Sequence, residues 1–492
     1  MRARRNSAPY RRGSPRPYPA SMRISLTLFL LLLTACGSSG GSSSDGSDGG
    51  GSTPTQPPAQ ADRRINTDPA GSELSLFPAM CCNGREIYVA WYDRRNGDLD
   101  VYFNRSLDGG ATWLAQDIRL DSGLAGSAGS LLPRICCTGS NVYVVWYDER
   151  SGNPDIYFNR SLDRGLTWLP QDVRLDSGTA GAASSREPSI CCDGARVYVA
   201  WHDDRGGSWD IYANRSLDGG LTWLPSDLRI DRDAGNFDAR FVQLGCAGNN
   251  VVAAWSDERR GGSSVVFTRS LNGGLSWEAT DTILDDADAA GIPRLVISGT
   301  RIHVVWTDVR STMPHIRYNR STNVGVDWLA NDIQVDASTG GANNPQLCAF
   351  DLDFYVVWQD TRSGEADVYF QRTRDAGATW LASDTRLDRD QAGVATSWDP
   401  QVCCDNQNVH VAWRDDRAGK FDILMRWSGD RGTTWSSPEL RLDTDPVGSA
   451  HSTGPALCCG GAFAAVVWMD DRNGTGSEAD IYGNIGDFAP GG

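Results

Sequence analysis

The sequence predicts an all-β protein, an eight-bladed β-propeller made of four-stranded antiparallel blades. A Trp-x-Asp-x-Arg pentad recurs eight times, at intervals of 51 to 55 residues. Short β-branched and aromatic runs fill each interval, and Gly, Asp and Asn turns separate them, which is typical of antiparallel strands. Four such runs in a period of about 50 residues indicate one propeller blade.

Each repeat contributes four strands, and the second repeat has the clearest examples. Its four runs are residues 133–137, 142–146, 155–159 and 172–176. The eighth repeat stops after its third run, at Asn484, whereas residues 64–68 match the pattern of a fourth strand. We therefore expect an N-terminal strand to complete the last blade, because this closes the ring and leaves no open sheet edge.

The segment before the repeats is predicted to direct export. Residues 1–35 carry seven Arg and an apolar run that ends just before Cys36, as in a secretory signal peptide, and Met22 is an alternative start. Leu-Thr-Ala-Cys at residues 33–36 resembles the lipobox of bacterial lipoproteins, which implies an acylated Cys36. The alternative is an ordinary signal peptide with a chance Cys. Residues 36–62 form a Gly/Ser/Pro-rich flexible linker, residues 63–486 the propeller and residues 487–492 a tail.

Charge and motifs limit the partners. With 62 acidic and 46 basic residues, the net charge is -16, which argues against a nucleic-acid partner. We expect a monomer outside the cytoplasm, attached to the bacterial outer membrane through a lipid anchor only.

The five His show no metal-ligand spacing, and no phosphate loop, dinucleotide motif or nucleophile elbow is present. We therefore expect no cofactor and no metal. A calcium site at acid pairs such as Asp98 and Asp100 is the alternative.

Twelve further Cys are predicted to join neighbouring blades. Adjacent residues of a strand point to opposite faces, so a Cys-Cys pair offers one thiol to each neighbour. Pairing the first Cys of each blade with the second Cys of the next leaves none over, and export permits the oxidation. Disulfides within each Cys-Cys pair are the rival scheme, but they would leave Cys246 and Cys348 unpaired. The predicted pairs are Cys348–Cys404, Cys403–Cys459, Cys458–Cys82, Cys81–Cys137, Cys136–Cys192 and Cys191–Cys246.

A second repeated element follows the pentad in seven copies. Its clearest forms are Ser-Leu-Asp-Gly-Gly-Ala-Thr-Trp at residues 106–113 and the runs ending at Trp168 and Trp223. The element resembles the Asp-box, or BNR, repeat of the sialidase superfamily, and the resemblance covers about residues 63–485. It implies that the Asp residues are structural and lie on the outer rim. Sialidases have six blades, so the eight repeats here depart from the family.

Residues that break the repeat are the candidates for a ligand site. Alternate loops of a propeller emerge on one face, so these residues are expected at the channel mouth on the face of the pentad loops. Trp209 and Trp398 could stack on a sugar ring, and Arg134, Arg240 and Arg294 could hold a carboxylate. Arg134 and Arg294 are three blades apart, which we expect to be too far for one small ligand. The candidate residues are Arg134, Arg186, Glu187, Trp209, Arg240, Arg294, Trp398 and Asp399.

Two classes of function fit this pattern. The resemblance to sialidases implies three Arg around a carboxylate, a Tyr–Glu nucleophile pair and an acidic Asp. The nearest match to the family's Arg-Ile-Pro motif is Pro-Arg-Ile at residues 133–135, in which the Pro precedes the Arg instead of following the Ile. No catalytic residue is assigned. Glu187, Asp238 and Asp399 are candidates for a catalytic carboxyl group by location only. We therefore favour a cell-surface or periplasmic lipoprotein whose propeller is a module that binds a glycan or a cell-envelope protein. The alternative is an exo-alpha-sialidase type glycosidase.

The pentad itself also has two interpretations. Eight Asp–Arg pairs on one face could bind an acidic sugar. Alternatively, they could join neighbouring loops by charge-assisted hydrogen bonds, which the strict repetition favours.

Overall fold

The computed structural model describes residues 61–233, 237–474 and 478–488. Within these residues the secondary structure is entirely β, with 32 strands in eight four-stranded antiparallel sheets. The predicted all-β fold with eight four-stranded blades is confirmed. The expected signal peptide, Cys36 and most of the linker lie outside the described residues. In the part of the chain that is described, no helix is long and apolar enough to cross a membrane.

Every blade uses its strands in the same spatial order. The first strands are β2 (Ser75–Asn83), β6 (Ser130–Thr138), β10 (Ser185–Asp193), β14 (Ala239–Ala247), β18 (Arg294–Ser298), β22 (Ala342–Phe350), β26 (Ser397–Cys404) and β30 (Ser452–Gly460). The second strands are β3 (Glu86–Asp93), β7 (Asn141–Asp148), β11 (Arg196–Asp203), β15 (Asn250–Asp257), β19 (Arg301–Asp308), β23 (Asp353–Asp360), β27 (Val409–Asp415) and β31 (Phe463–Asp470).

The outer half of each blade is shorter. The third strands are β4 (Asp100–Ser106), β8 (Asp155–Ser161), β12 (Asp210–Ser216), β16 (Ser264–Ser270), β20 (His315–Ser321), β24 (Asp367–Thr373), β28 (Asp422–Ser428) and β32 (Asp480–Asp487). The fourth strands are β1 (Arg63–Arg64), β5 (Ile118–Arg119), β9 (Val173–Arg174), β13 (Leu228–Arg229), β17 (Thr282–Ile283), β21 (Ile333–Gln334), β25 (Thr385–Arg386) and β29 (Leu440–Arg441).

The ring closes as the sequence predicts. Each first strand contacts the first strand of the next blade, and β2 contacts β30, so the eight first strands surround the centre. β1 pairs with β32, with Arg63 opposite Gly483 and Arg64 opposite Tyr482. The N-terminal strand thus supplies the missing fourth strand of the last blade. This arrangement gives the last blade the same four strands as the other seven blades.

Both ends of the propeller reach slightly beyond the expected boundaries. Strand β32 includes Asp487, and Phe488 is buried, with its ring centroid 5.7 Å from that of Trp427. At the other end, Asp62 accepts a hydrogen bond from the backbone N–H of Thr444 at 3.2 Å. Residues assigned at first to the tail and the linker therefore pack into the last blades.

The core lies between the blades. All eight pentad Trp are fully buried, and Trp91 packs with Ile87 of its own blade and Ile481 of the last blade. Burying an aromatic side chain of this size contributes about 3 kcal/mol, so the repeated Trp explains why a ring of small sheets is stable.

The Asp-box turns lie at the end of the blades opposite the pentad loops, on a face that we call the box face. In the third blade, Asp218 accepts hydrogen bonds from the backbone N–H of Thr222 at 2.8 Å and from its hydroxyl at 2.6 Å. Each box also packs on the preceding blade, since the Trp168 and Phe103 rings meet edge-on at 4.8 Å. Gly165 has a φ of 75°, and a Cβ there would lie 2.7 Å from the Phe103 ring. The box is thus a structural element of the blade interface.

Six disulfides join neighbouring blades, with the pairing that the alternation of the strands predicts. The Cα separations are 5.8 to 6.1 Å, which suits a disulfide. The rival scheme of bonds within each Cys-Cys pair is excluded. The fifth blade contains no Cys, so the interfaces on both of its sides lack a disulfide.

Candidate functional site

The pentad pairs join the strands and loops within one blade. The Asp93 carboxylate accepts hydrogen bonds from the Ser75 hydroxyl at 2.7 Å and from the Arg95 guanidinium at 2.7 and 2.9 Å. Arg95 then lies 3.9 Å from the Tyr102 ring centroid and donates to Asp117 at 2.8 Å. Because the pentad guanidinium groups are already used in this way, they are poorly placed to bind a ligand.

The outer carboxylates complete a ring of contacts between blades. The Asp117 carboxylate also accepts a hydrogen bond from the backbone N–H of Thr67, which lies just after the preceding fourth strand, at 2.8 Å. The same contact recurs at every interface, and in the last blade Asp62 takes the role of Asp117. The eight pairs are Thr67–Asp117, Ser122–Asp172, Ser177–Asp227, Arg232–Asp281, Asp286–Asp332, Ala337–Asp384, Arg389–Glu439 and Thr444–Asp62. These contacts support the structural interpretation of the pentad.

The inner strands carry a second repeated feature, a β-bulge near the channel. Seven of the eight first strands, all except β18, shift register at this point. The bulged residue has a left-handed φ of 50 to 62°, which costs free energy for a residue other than Gly. Bulges re-aim side chains and are common beside functional sites. The seven residues are Phe77, Leu132, Glu187, Phe241, Asn344, Asp399 and Gly454.

Arg134 and Arg294 form the centre of the candidate site. Both are buried, and each donates a weak hydrogen bond only to the carbonyl of the preceding Pro, at 3.3 and 3.4 Å. Burial and, to a smaller extent, the charge of Arg134 lower the pKa of Arg294 to about 10. The two side chains therefore face the same central space despite the three-blade separation. Neither forms an ion pair with any described residue.

Glu187 lies beside this pair. Burial raises the pKa of Glu187 to about 7, although three nearby guanidinium groups, led by that of Arg134, oppose the shift. Tyr147 is buried on the same side, and burial raises its pKa to about 12. Among the smaller effects of nearby charges, Arg186 and Arg134 lower this pKa, whereas Glu149 and Glu187 raise it. Arg186 lies 5.7 Å from the Tyr147 ring centroid. The centre thus combines two unpaired cations, a carboxyl group that changes its charge near pH 7 and a phenol.

A second group of residues borders the mouth at the third and fourth blades. The Arg240 guanidinium pairs with Asp238 at 2.5 Å and lies 5.2 Å from the Trp209 ring centroid. Trp209 meets His202 edge-on at 4.7 Å. Burial lowers the pKa of His202 to about 3, so this ring is neutral at ordinary pH. Arg240 is therefore already neutralised by a carboxylate, unlike Arg134 and Arg294.

A third group lies across the mouth at the seventh blade. Trp398 is 36% exposed and stacks on Phe421 with centroids 6.0 Å apart. Arg414 lies 5.1 Å from the Trp398 ring and pairs with Asp399 at 2.8 Å. Burial raises the pKa of Asp399, and the charge of Arg414 opposes the shift. This group presents a flat, partly exposed aromatic surface backed by a guanidinium group.

Tyr147, His202 and Arg414 were not among the predicted site residues. All three occupy the second position of the pentad, where the eight copies have Tyr92, Tyr147, His202, Ser256, Thr307, Gln359, Arg414 and Met469. Strand alternation turns this position away from the pentad Trp, toward the other face of the blade. The variation within an otherwise strict motif was the signal that could have identified Tyr147 and Arg414.

Three clusters of carboxylates on the outer strands could in principle hold a cation. They are Asp210, Asp231 and Asp233; Asp367, Asp388 and Asp390; and Asp422, Asp443 and Asp445. In each cluster a single guanidinium nitrogen, from Arg229, Arg386 or Arg441, lies within ion-pair distance of all three carboxylates. The Arg therefore occupies the position that an ion would take.

A cleft of about 510 Å³ opens between the second and third blades on the pentad face. Its walls include Asp155, Asp176 and Asp203. Arg174 binds the first two carboxylates, and Arg205 binds the third. None of the predicted site residues lines this cleft, so its charged groups are accounted for by the blade structure.

No protein-family model and no curated protein matches this chain. Among solved structures, an alpha-L-arabinanase of Penicillium chrysogenum aligns at 12% identity with a TM-score of 0.37, over 62% of this chain and 93% of its own. A Trypanosoma rangeli sialidase aligns at 10% identity with a TM-score of 0.39, over 89% and 93%. A polysaccharide lyase aligns at 10% identity with a TM-score of 0.45, over 87% and 93%. Similarities this distant carry no argument about function.

Proposed function

We propose that the channel mouth on the pentad face binds an acidic carbohydrate. The observation that carries the proposal is the pair Arg134 and Arg294, two buried guanidinium groups without a carboxylate partner among the described residues. Burying an unpaired charge is costly, so it is expected where a ligand supplies the opposite charge. A carboxylate would accept two hydrogen bonds from each guanidinium group.

The aromatic side chains support a saccharide rather than a small inorganic anion. Trp398 offers an exposed ring on the opposite side of the mouth from Trp209. Aromatic faces stack on the apolar face of a sugar ring, as in many ligand pockets. Because the aromatic groups and the cations are separate, a chain of several sugars fits better than a single residue. The six disulfides favour an oxidising compartment, where such glycans occur.

The test is titration calorimetry of the purified chain with sialylated and uronic-acid oligosaccharides, and with neutral oligosaccharides as the reference. We expect binding only to the acidic saccharides, and loss of that binding in Arg134→Met. The matched control is Arg85→Met, since the Arg85 side chain is 53% exposed and lies in a loop on the box face. Equal affinity for neutral saccharides, or unchanged binding in Arg134→Met, would contradict the proposal.

A glycosidase is the second candidate, and Glu187 is the reason to test it. A carboxyl group with a pKa of about 7 is suited to act as a general acid at neutral pH. Tyr147 lies within its electrostatic reach and would be the candidate nucleophile. Turnover of a fluorogenic sialoside that disappears in both Glu187→Gln and Tyr147→Phe would establish the enzyme. Binding without turnover would favour the module.

A further inference from the structure

In the Asp-box turns, exposed aliphatic side chains lie on one side of the ring. In the first five blades, the second and sixth positions of the Asp-box are mostly Leu. The exposed side chains form what we call the apolar arc: Leu107, Leu162, Leu166, Leu217, Leu221, Leu271, Leu275 and Val326, each 41 to 69% exposed. In the sixth and seventh blades the same positions are Arg374, Ala378, Gly429 and Thr433.

The apolar arc is not needed for the turn itself. In the third blade the turn is held by Ser216, whose hydroxyl accepts from the Gly220 backbone N–H at 2.7 Å, and by Asp218. Neighbouring turns also lie close together. Leu162 Cδ2 lies 3.5 Å from the point that a Cβ atom on Gly219 of the next blade would occupy. The arc is therefore continuous across blades. An exposed apolar surface of this extent marks a binding surface on a soluble protein.

The position of Asp62 indicates what the apolar arc faces. In the first blade the Asp-box turn leads into the fourth strand through Asp117, and Asp62 takes the same position in the last blade, with the same contact to the preceding blade. Because β1 is antiparallel to β32, the chain enters β1 from the end of the blade at which the third strands finish and the other blades have their box turns. Residues 36–60 connect this point to Cys36, and a Gly/Ser-rich segment of that length has an end-to-end distance of about 25–30 Å.

We propose that the apolar arc lies on the lipid surface to which Cys36 is expected to be attached. This inference rests on the expected lipid anchor and not on the proposed function. Aliphatic side chains bind a bilayer interface through the apolar area that they bury. Because the net charge is -16, we expect contact with zwitterionic lipid and little dependence on salt. The channel mouth then points away from the membrane.

The first measurement is co-sedimentation of the full chain carrying Cys36→Ser with phosphatidylcholine vesicles. We expect the triple variant Leu166→Ser, Leu221→Ser, Leu275→Ser to lower partition about tenfold. The matched control is Leu124→Ser, Val394→Ser, Val447→Ser, which changes three equally exposed apolar side chains in the loops of the opposite face. Equal partition of the two triple variants would overturn the proposal.

The second measurement uses the lipid-bearing chain, so a weak unanchored interaction does not decide the matter. On vesicles, amide hydrogen exchange should slow at the box turns around Leu166 and Leu221 and stay unchanged around Leu124 and Val394. Equal protection of both faces, or no effect of vesicles at either face, would overturn the proposal. So would a change of oligomeric state in the arc variant without a change of partition, since the arc would then bind a second copy. Saccharide binding by the arc variant separates this outcome from the proposed function.

Discussion

Burial and then the charge of Arg134 lower the pKa of Arg294 to about 10, although three blades separate their strands. Both side chains leave first strands, which surround the channel, so a long guanidinium side chain from either strand reaches the same central space. Like charges held together without a counter-ion raise the free energy of the empty site. An anionic ligand would remove that cost.

Replacing Arg294 by Met is therefore expected to raise the free energy of unfolding of the ligand-free protein, by about 1–3 kcal/mol. The reason is that Met fills similar space without an unpaired charge. Urea unfolding at neutral pH measures the change. Arg417→Met is the paired control and should destabilise, because Arg417 donates to Asp415 at two distances of 2.6 Å. The prediction fails if both variants destabilise equally.

Binding of an acidic saccharide is expected to weaken as the pH rises through about 7. Burial raises the pKa of Glu187 to about 7, so below this pH the carboxyl group is neutral and the Arg134 charge is available to the ligand. Above it, the Glu187 carboxylate competes with the ligand. Calorimetry between pH 5.5 and 8.5 measures the dependence (a range of roughly 1.5 units on either side of the midpoint). In Glu187→Gln the affinity should no longer change across this range, and an unaltered pH profile in this variant would refute the assignment.

Trp398→Ala is expected to lower saccharide affinity by about tenfold, which is the loss of one aromatic stacking contact of about 1.4 kcal/mol. The melting temperature should stay nearly unchanged, because the side chain is 36% exposed. Leu352→Ala is a suitable control, since Leu352 is 37% exposed and lies in a loop between first and second strands. If affinity is retained in Trp398→Ala, the aromatic group of the seventh blade is not part of the site.

Gly165→Ala is expected to destabilise the protein more than Gly84→Ala. Both Gly have a positive φ, 75° and 61°, so both variants carry the backbone cost of about 1 kcal/mol. Only at Gly165 would the new methyl group lie 2.7 Å from Phe103, whereas at Gly84 nothing lies within 4 Å. The clash should add about 1–3 kcal/mol. Chemical unfolding of the two variants compares them, and equal losses would show that the Asp-box does not pack tightly on its neighbour.

The architecture was predictable because its signals are local and repeated. The spacing of the pentads predicted the number of blades. The two-residue alternation of a strand was enough to pair Cys136 of the second blade with Cys192 of the third blade. The site was less predictable. The closeness of Arg134 and Arg294 depends on the width of the channel and on side-chain direction, which no local pattern encodes. Tyr147 and Arg414 were not predicted, because the strict repetition of the pentad's Trp, Asp and Arg favoured a structural interpretation of the whole motif.

The six disulfides have a topological consequence. They link the blades in series from the sixth blade, through the junction Cys458–Cys82, to the fourth blade. The fifth blade is therefore joined covalently to its neighbours by the backbone alone. A cut in the backbone at the fifth blade would therefore not separate the two fragments. It would give a single cross-linked molecule with new ends at that blade and with its original ends tied together. The disulfides and the backbone thus form a covalently closed ring, and cleavage of the backbone at the one blade without a disulfide produces a circular permutant.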